Sequence, residues 1–298
     1  MRVLVTGGTG LVGKRLKYYH PNWMYMSSRR YDLRCPKATA NMFEDTKPDA
    51  VLHLAARVGG IKDNAENPAA YYHDNVMINT NVVHQAHLHG VERLLAALST
   101  CAYPDRVEKY PFTEDDFLKG PPAETNLSYG YSKRMLHIQC QAYRKQHGLN
   151  YSTFCPSNLY GRGDHYNTTS SHFVAALISK VAPLEDGDTL ELWGSGLPLR
   201  QQLYVDDLCE LIPMLIEKHN SDLPLIVAPD ENLSINEMTT ALITQLHKNV
   251  KVVYNSTLDG QFRKDGSNQK LKELIGNYNF TKFKDGIMRT YNSYRDEM

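Results

Sequence analysis

The feature that most constrains the fold is a glycine-rich segment near the start of the chain. An apolar run over Arg2–Thr6 leads into this segment, and a helical pattern over Val12–Tyr19 follows it. A strand that enters a helix through such a loop allows a tight turn, close approach of a pyrophosphate, and close helix–strand packing. The unpaired N–H groups at the start of the helix also favour phosphate. We therefore predict a dinucleotide site that uses Gly7, Thr9, Gly10, Leu11, Val12 and Gly13.

Short apolar runs alternate with helical patterns through the first half of the chain. The predicted strands are Arg2–Thr6, Trp23–Ser27, Ala50–Leu54, Arg93–Leu98 and Tyr151–Pro156, and the predicted helices are Val12–Tyr19, Pro68–His89 and Ser132–His147. Such alternation predicts an α/β fold with a Rossmann-type, doubly wound parallel sheet. Beyond it we expect a smaller C-terminal α+β unit. We assign residues 1–160 and 200–222 to the dinucleotide-binding domain, and residues 161–199 and 223–298 to a substrate domain.

Charge and cysteine content exclude some classes of protein. The 298 residues contain 33 Lys and Arg against 33 Asp and Glu, so the absence of net charge gives no support for a nucleic-acid or membrane-surface partner. We expect no signal peptide and no membrane span. The five cysteines include no C-x-x-C pair, which is typical of a reduced, cytoplasmic protein.

The end of the second strand indicates which nucleotide is preferred. An acidic residue there would bind the ribose 2′-hydroxyl of NAD, whereas arginine suits the 2′-phosphate of NADP. The segment reads Ser28-Arg29-Arg30, with no acid before Asp32. We therefore predict NADP(H), with a solvated basic turn as the alternative. Asp32 and Leu33 are similar to a segment that lies near the adenine ring in dinucleotide-binding proteins.

Four residues suggest chemistry on a carbonyl group. Ser99 and Cys101 directly follow the predicted fourth strand, at the sheet edge where ligands bind in open α/β folds. Tyr129 and Lys133 are four apart, which places them on one face of a helix. An ammonium about 4 Å from a tyrosine supplies roughly the 4 kcal/mol needed to lower its pKa from ~10 to ~7. Ser99, Tyr129 and Lys133 therefore predict carbonyl reduction. A chance Tyr-x-x-x-Lys pair and a buried, apolar Cys101 are the alternatives.

Several segments resemble one enzyme family in order and spacing. They are Leu54–Ile61, Asn75–Asn81, Pro156–Gly161, Ser171-His172 and Trp193–Arg200. Together with the glycine loop, these segments resemble the extended short-chain dehydrogenase/reductase family over essentially the whole chain. Within that family, the resemblance is to the 3,5-epimerase/4-reductases that act on GDP-4-keto-6-deoxy-D-mannose and make GDP-L-fucose with NADPH.

The resemblance implies a role for each matched residue. Ser99, Tyr129 and Lys133 would form the reductase triad, and Cys101 and His172 would be the acid/base pair for epimerisation. Further NADP contacts would come from Leu54, Ala55, Ala56, Tyr129, Lys133, Pro156, Asn158, Leu159 and His172. The GDP-sugar substrate would be bound by Asn126, Asn158, Lys180, Trp193, Arg200 and Lys264. No metal is expected, and a homodimer would form through helices around residues 68–89 and 132–147.

Other functions remain open at this stage. A sister NADP-dependent nucleotide-sugar 4-reductase or epimerase, such as a GDP-rhamnose-forming reductase, would use the same triad for one of the two steps. A non-catalytic NADP-binding sensor could share the fold. Cys101 and His172 argue against the plain reductase, because reduction alone needs neither. The intact triad argues against the sensor. For His172, a hydrogen-bonded loop histidine without function is the alternative.

Overall fold

The computed structural model of the chain describes residues 1–166, 171–255 and 261–297. Within these residues the strands are β1 (Val3–Thr6), β2 (Met24–Met26), β3 (Ala50–His53), β4 (Arg93–Ala97), β5 (Asn150–Pro156), β6 (Asn158–Tyr160), β7 (Thr189–Leu192), β8 (Leu199–Arg200), β9 (Gln202–Tyr204), β10 (Leu225–Val227), β11 (Leu233–Ser234) and β12 (Lys251–Tyr254). The helices are α1 (Leu11–Tyr19), α2 (Pro36–Thr46), α3 (Ile61–Glu66), α4 (Pro68–Leu88), α5 (Leu127–His147), α6 (Phe173–Val181), α7 (Val205–Lys218), α8 (Ile235–Gln245), α9 (Gln269–Ile275) and α10 (Phe283–Glu297).

A parallel sheet forms the centre of the molecule, in the order β10-β5-β4-β3-β1-β2 among the described residues. The chain starts in the interior of this sheet, moves outward to β2, and then crosses to the other side of β1 at β3. The strand order therefore reverses between β1 and β3, and ligands of such sheets bind beyond the carboxyl ends of the strands at that point. The predicted Rossmann-type α/β fold is confirmed.

Both faces of the sheet are covered by helices. On β1 the side chains alternate, so that Leu4 packs towards α4 and α5 while Val3 and Val5 pack towards α1 and α7. All four residues of β1 and of β3 are buried. Strands buried on both faces read as continuous apolar runs, and this explains why the sequence pattern located them.

A third apolar cluster forms the core of a smaller unit. It contains side chains from α6, β7, α8 and α10, including Leu177, Leu190, Met238 and Ile287. This unit corresponds to the predicted α+β region. The boundary predicted at residue 222 is wrong, however, because β10 pairs with β5 and extends the central sheet. Its Leu225 and Val227 are buried in the same cluster as α7, so they have no place in the substrate unit.

The helix that carries Tyr129 and Lys133 begins earlier than predicted. α5 starts at Leu127, directly after a short 3-10 turn over Glu124–Asn126, and both residues lie in its first two turns. The helices α2 and α6 were not predicted. In the described part of the chain, no helix is long and apolar enough to cross a bilayer.

Candidate active site

The glycine loop joins β1 to α1 and leaves the start of the helix open. Gly10 is the N-cap of α1, and no side chain caps the helix there. Its first N–H groups are therefore available to an anion. At Gly13 a Cβ atom would lie 2.5 Å from the Gly7 carbonyl oxygen and 2.6 Å from the Gly8 Cα. Only glycine allows α1 to approach the loop this closely, and the resulting cradle fits a pyrophosphate.

The segment after β3 is tied to the same loop. The Thr6 hydroxyl, at the end of β1, accepts hydrogen bonds of 3.2 Å from the backbone N–H groups of Leu54 and Ala55. Leu54, Ala55 and Ala56 therefore lie beside the glycine loop, at the switch point of the sheet. Their contact with NADP stays a prediction from the resemblance.

The turn after β2 presents two exposed guanidinium groups. Arg29 and Arg30 are exposed in a turn closed by a 3.1 Å bond from the Arg30 N–H to the Ser27 carbonyl. The Arg30 guanidinium also lies 5.2 Å from the centre of the Tyr31 ring. Asp32 faces Arg34 in a bidentate pair whose shortest distance is 2.7 Å. Hydrogen bonding to Arg34 holds the pKa of Asp32 below its usual range. The carboxylate therefore stays ionised, and its charge is already paired with that of Arg34. The sequence analysis did not identify Arg34.

A buried hydrogen-bond chain links the sheet to α5. The Thr6 hydroxyl lies 2.8 Å from His53 Nδ1, His53 Nε2 lies 3.1 Å from Asn79 Oδ1, and Asn79 Nδ2 donates to the Ser132 carbonyl over 3.2 Å. Because Asn79 uses its amide N–H on Ser132, its oxygen accepts from His53 Nε2–H, and Nδ1 accepts from Thr6. Burial, helped by the charge on Lys133, lowers the pKa of His53 to about 3, which is consistent with a neutral ring.

Ser99 and Cys101 lie on the short turn that follows β4. Ser99 caps this turn, because its hydroxyl accepts a 3.2 Å bond from the Cys101 N–H. The turn lies close against α5. A Cβ at Gly130 would come within 2.8 Å of the Cys101 carbonyl oxygen and 2.7 Å of the Pro122 Cβ. The glycine next to Tyr129 therefore allows the tyrosine helix to approach the Ser99–Cys101 turn.

Tyr129 and Lys133 do not form the close pair that the sequence suggested. The Lys133 ammonium lies 5.9 Å from the centre of the Tyr129 ring and donates a 2.8 Å bond to the Ala97 carbonyl at the end of β4. Burial raises the pKa of Tyr129 well above its usual range; the charge of Cys101 raises it further, and a hydrogen bond with Ser99 lowers it. The expected fall in the pKa of Tyr129 is therefore wrong for this structure, because burial dominates. Burial also lowers the pKa of Lys133 to about 8.

Cys101 has a cationic partner from a distant part of the chain. The Lys264 ammonium donates a 2.9 Å hydrogen bond to Cys101 Sγ. Burial raises the pKa of Cys101, but Lys264, Ser99 and Arg200 together outweigh burial, so that the pKa is lowered overall. Lys264, assigned to substrate binding in the sequence analysis, therefore contacts a catalytic candidate directly.

His172 is the N-cap residue of α6 and is exposed. A neighbouring carboxylate senses it: burial raises the pKa of Asp164, while positive charge on His172, His165 and Lys14 opposes this rise. One carboxylate oxygen of Asp164, Oδ2, is buried and meets no hydrogen-bond partner among the residues that the structure describes. His172 is thus grouped with Asp164 and α1, and no bond between it and Cys101 is found among the described residues.

The remaining expected substrate contacts are found on several elements. Lys180 lies 5.7 Å from the centre of the exposed Trp193 ring, and Arg200 is close enough to Cys101 to lower its pKa. Asn126 is the N-cap of α5, and Asn158 follows β5, where its amide donates to the Gln201 carbonyl over 3.4 Å. Pro156 and Leu159 flank Asn158 on β5 and β6. Within the described ranges, no group of three or more His, Cys, Asp or Glu side chains is placed to hold a metal ion.

Comparisons with known proteins agree with this geometry. Residues 3–228 match the NAD dependent epimerase/dehydratase family. The chain is 36% identical to a probable GDP-L-fucose synthase of Drosophila melanogaster, with 96% of this chain and 94% of the relative covered. It is 34% identical to a GDP-L-fucose synthase of Dictyostelium discoideum, over 96% of this chain and 92% of that protein. A crystal structure of a GDP-L-fucose synthetase from Naegleria fowleri bound to NADP superposes with a TM-score of 0.91 at 31% identity, covering 99% and 92% of the two chains.

Proposed function

Because this chain belongs to the NAD dependent epimerase/dehydratase family, we propose that it converts GDP-4-keto-6-deoxy-D-mannose to GDP-L-fucose by 3,5-epimerisation and NADPH-dependent 4-reduction. One observation carries this proposal beyond simple reduction. The Cys101 sulfur, which accepts a hydrogen bond from the Lys264 ammonium, lies on the same turn as Ser99, beside the helix of Tyr129 and Lys133. A reductase triad and a second proton-transfer group therefore share one site.

NADP(H) fits the residues at the switch point. The open N-terminus of α1 and the close approach at Gly13 suit the pyrophosphate, and Arg29 and Arg30 are exposed where the 2′-phosphate would lie. Asp32 is paired with Arg34, so its carboxylate is not free to select a ribose 2′-hydroxyl. When bound, NADPH supplies the hydride for C4 of the sugar.

The epimerase step needs groups that take and return protons. The hydrogens at C3 and C5 are acidic because both carbons flank the C4 ketone. Inversion requires removal of a proton from one face and its return to the other, and an ionised thiol and an imidazole are suited to these roles near neutral pH. Cys101 and His172 are the candidates. Ser99 and Tyr129 would stabilise the enolate oxygen by hydrogen bonds.

Tyr129 serves the reduction as a proton donor. Its pKa is raised in the site, so it holds its proton until an alkoxide forms at C4. Lys133, on the next turn of α5, would hold the nicotinamide ribose. Arg200, which is close enough to Cys101 to lower its pKa, suits the pyrophosphate of a GDP-sugar. Lys180 and the exposed ring of Trp193, which lie against each other, would meet the rest of the nucleotide.

The principal rival is a nucleotide-sugar 4-reductase without epimerase activity, such as a GDP-rhamnose-forming enzyme. Reduction at C4 alone does not need a cation in contact with the Cys101 sulfur. A non-catalytic NADP sensor would need neither the thiol nor the Ser99–Tyr129–Lys133 set.

One reaction in deuterated water separates these functions. The purified protein is mixed with GDP-4-keto-6-deoxy-D-mannose and NADPH, with NADH in parallel, while nicotinamide absorbance and product deuteration are followed. The proposal requires oxidation of NADPH and deuterium at both C3 and C5. Oxidation without deuterium would identify a plain reductase, and neither signal would favour the sensor.

Two variants divide the reaction into its steps. Tyr129→Phe should abolish NADPH oxidation but only slow deuterium exchange, because Ser99 can still donate to the enolate oxygen, whereas Cys101→Ser should lose exchange. Cys35→Ser is the matched control, because Cys35 is an exposed free thiol at the start of α2, outside the proposed proton-transfer groups, and should change neither signal. Equal loss of both signals in Tyr129→Phe and Cys101→Ser would contradict the assignment of separate roles.

We further propose that the protein is a homodimer and acts in the cytoplasm. Side chains of Tyr72, Tyr131, Met135 and Ile138 expose apolar surface along neighbouring faces of α4 and α5, and such a surface is typical of a subunit interface. All five cysteines are free thiols, which suits a reducing compartment. Sedimentation should show a dimer, and Ile138→Glu should convert it to a monomer; a monomeric parent protein would exclude this interface.

A further inference from the structure

The role of Lys264 goes beyond substrate contact. We propose that Lys264 is a positioning residue that holds Cys101 as a thiolate in the resting enzyme, through the contact between its ammonium and Cys101 Sγ. This inference rests on the proposed epimerase function, because a thiolate can accept a proton from carbon and a thiol cannot.

The contact is built as an ion pair. The distance from Lys264 Nζ to Cys101 Sγ is 2.9 Å, and Lys264 is only 9% exposed. Within the described ranges, no carboxylate lies at ion-pair distance from this ammonium, and Cys101 Sγ is the hydrogen-bond acceptor that it meets. A buried cation is costly unless an anion pairs with it. The sulfur is the group in reach that can become that anion.

The segment that carries Lys264 is firmly fixed. Its neighbour Gly266 is bonded on both sides by the Gln201 side chain, over 2.9 and 3.1 Å. Backbone bonds join Phe112 to Asp265 and to Ser267, over 3.0 and 2.7 Å. Lys264 is therefore held against the turn after β4 by contacts that do not involve its own ammonium. Its position does not depend on a bound sugar nucleotide.

The other groups around Cys101 favour the same charge state. Arg200 adds positive charge, and Ser99 adds a hydrogen bond. Tyr129 keeps its proton, since its pKa is raised by burial and by the Cys101 charge. Burial raises the pKa of the nearby Cys155, so that it stays a thiol. The thiol proton of Cys101 leaves to solvent, and the thiolate that remains is paired with the Lys264 ammonium.

The test measures the thiol without any substrate. In a Cys35→Ser background, the far-ultraviolet absorbance of the thiolate is titrated against pH, with the Cys101→Ser protein subtracted. The pH dependence of iodoacetamide alkylation, with the modified residue identified by mass spectrometry, gives a second reading. Both are measured for the parent protein, Lys264→Met, Lys264→Arg and the control Lys119→Met. Lys119 is an exposed lysine that forms a salt bridge with Asp116.

The parent protein should titrate below the usual thiol value of ~8.5, and Lys264→Met should titrate above the parent. Once the pKa lies above the measuring pH, each further unit of upward shift lowers the thiolate fraction about tenfold, and lowers the alkylation rate about threefold because the remaining thiolate is more nucleophilic. Lys264→Arg should restore most of the parent titration, and Lys119→Met should match the parent.

A parent Cys101 that titrates as an ordinary thiol would overturn the inference, whatever the variants do. The inference would also be overturned by a Lys264→Met protein that is folded, as judged by circular dichroism, and titrates like the parent. If that variant changed only the KM, Lys264 would be a substrate ligand. The titration involves no turnover. If Cys101 titrates as an ordinary thiol while deuterium exchange occurs, the role of Lys264 is refuted and the proposed function stands. If the titration is shifted and no exchange occurs, the ion pair stands and the proposed function is refuted.

Discussion

Replacing Lys133 with methionine should make the protein more stable while abolishing NADPH oxidation. The Lys133 side chain is 2% exposed, and its ammonium meets the Ala97 carbonyl rather than a carboxylate. Burial lowers its pKa from 10.5 to about 8. At about 1.36 kcal/mol per pKa unit, holding this ammonium in the fold costs roughly 3 kcal/mol.

The net gain is smaller than this cost. Methionine has a similar length but cannot donate to the Ala97 carbonyl, and leaving that carbonyl unpaired offsets about 1–2 kcal/mol. The free energy of unfolding of Lys133→Met should therefore rise by about 1–2 kcal/mol at neutral pH. For a chain of this size, that corresponds to a rise in melting temperature of roughly 2–3 °C.

The pH dependence identifies the cause. Since the folded pKa is lowered to about 8 and the unfolded value is 10.5, the unfolded chain binds more protons between these two values. As the pH rises through this window, the free energy of unfolding of the parent protein therefore increases relative to that of the variant. Below the window the parent carries the full cost of burying the ammonium. Thermal unfolding of the cofactor-free protein at neutral pH and near pH 10 would measure both effects.

Lys119→Met serves as the control, since an exposed lysine should change stability by less than about 0.5 kcal/mol. A Lys133→Met protein that is less stable than the parent at neutral pH would refute the reasoning. So would a difference in stability between the two proteins that stays constant across the alkaline window.

Burial lowers the pKa of three histidines, to about 3 for His53 and to about 4 for His137 and His219. Below pH ~6.5 the unfolded chain binds protons that the folded chain does not, so the free energy of unfolding should fall by roughly 5–6 kcal/mol between about pH 7 and 5. In urea titrations, His219→Gln should remove about a third of this fall. An unchanged dependence of the unfolding free energy on pH would contradict the assignment. The guanidinium of Arg93 donates to the carbonyls of Ile216 and Leu215 at the end of α7, over 2.6 and 2.8 Å. Burial of this cation lowers its pKa from 12.5 to about 10, a cost of roughly 3 kcal/mol, but the guanidinium makes five hydrogen bonds, the others being to the Leu94 and Asn150 carbonyls and to Asn150 Oδ1. Since the five lost bonds outweigh the relief of burial, Arg93→Met should cost about 2–4 kcal/mol in the same assay, and a cost below about 1 kcal/mol would mean that water replaces these bonds. Gly13→Ala should weaken NADPH binding at least about tenfold by fluorescence titration, because its Cβ meets backbone 2.5 Å away; unchanged affinity would exclude the cradle as the phosphate site.

The sheet was largely predictable from the sequence, because β1, β3, β4 and β5 are apolar runs bounded by clear turns. β10 was not, because Leu225–Val227 is only three residues long and its pairing with β5 is a tertiary contact. The local sequence pattern cannot show whether such a short apolar segment belongs to the central sheet or to the core of the smaller unit. The predicted domain boundary was therefore drawn before β10, although β10 belongs to the central sheet.

The candidate site divides in the same way. Ser99 and Cys101 were found because they follow a recognisable strand, and Tyr129 and Lys133 because their spacing places them on one face of a helix. The burial that sets the pKa of Tyr129 is a property of the assembled site, so the sequence argument gave its direction wrongly. The contact between Lys264 and Cys101 joins residues 163 positions apart. No spacing rule reaches that far, and the pairing of Asp32 with Arg34 was missed because either residue alone reads as a surface charge.

The opposite shifts at Cys101 and Tyr129 provide a physical reason why one site can carry out two reactions. Cys101 lies on the turn after β4 and Tyr129 on the helix packed against that turn, and the negative charge of Cys101 raises the pKa of Tyr129. Ionisation of both at once is therefore unfavourable, so a site with a thiolate holds a protonated tyrosine. During epimerisation this arrangement offers a base at sulfur and a hydrogen-bond donor at the C4 oxygen. When hydride reaches C4 the same tyrosine has a proton to give. Lys264 is the group that sets this order, because it places the negative charge on sulfur rather than on the phenol.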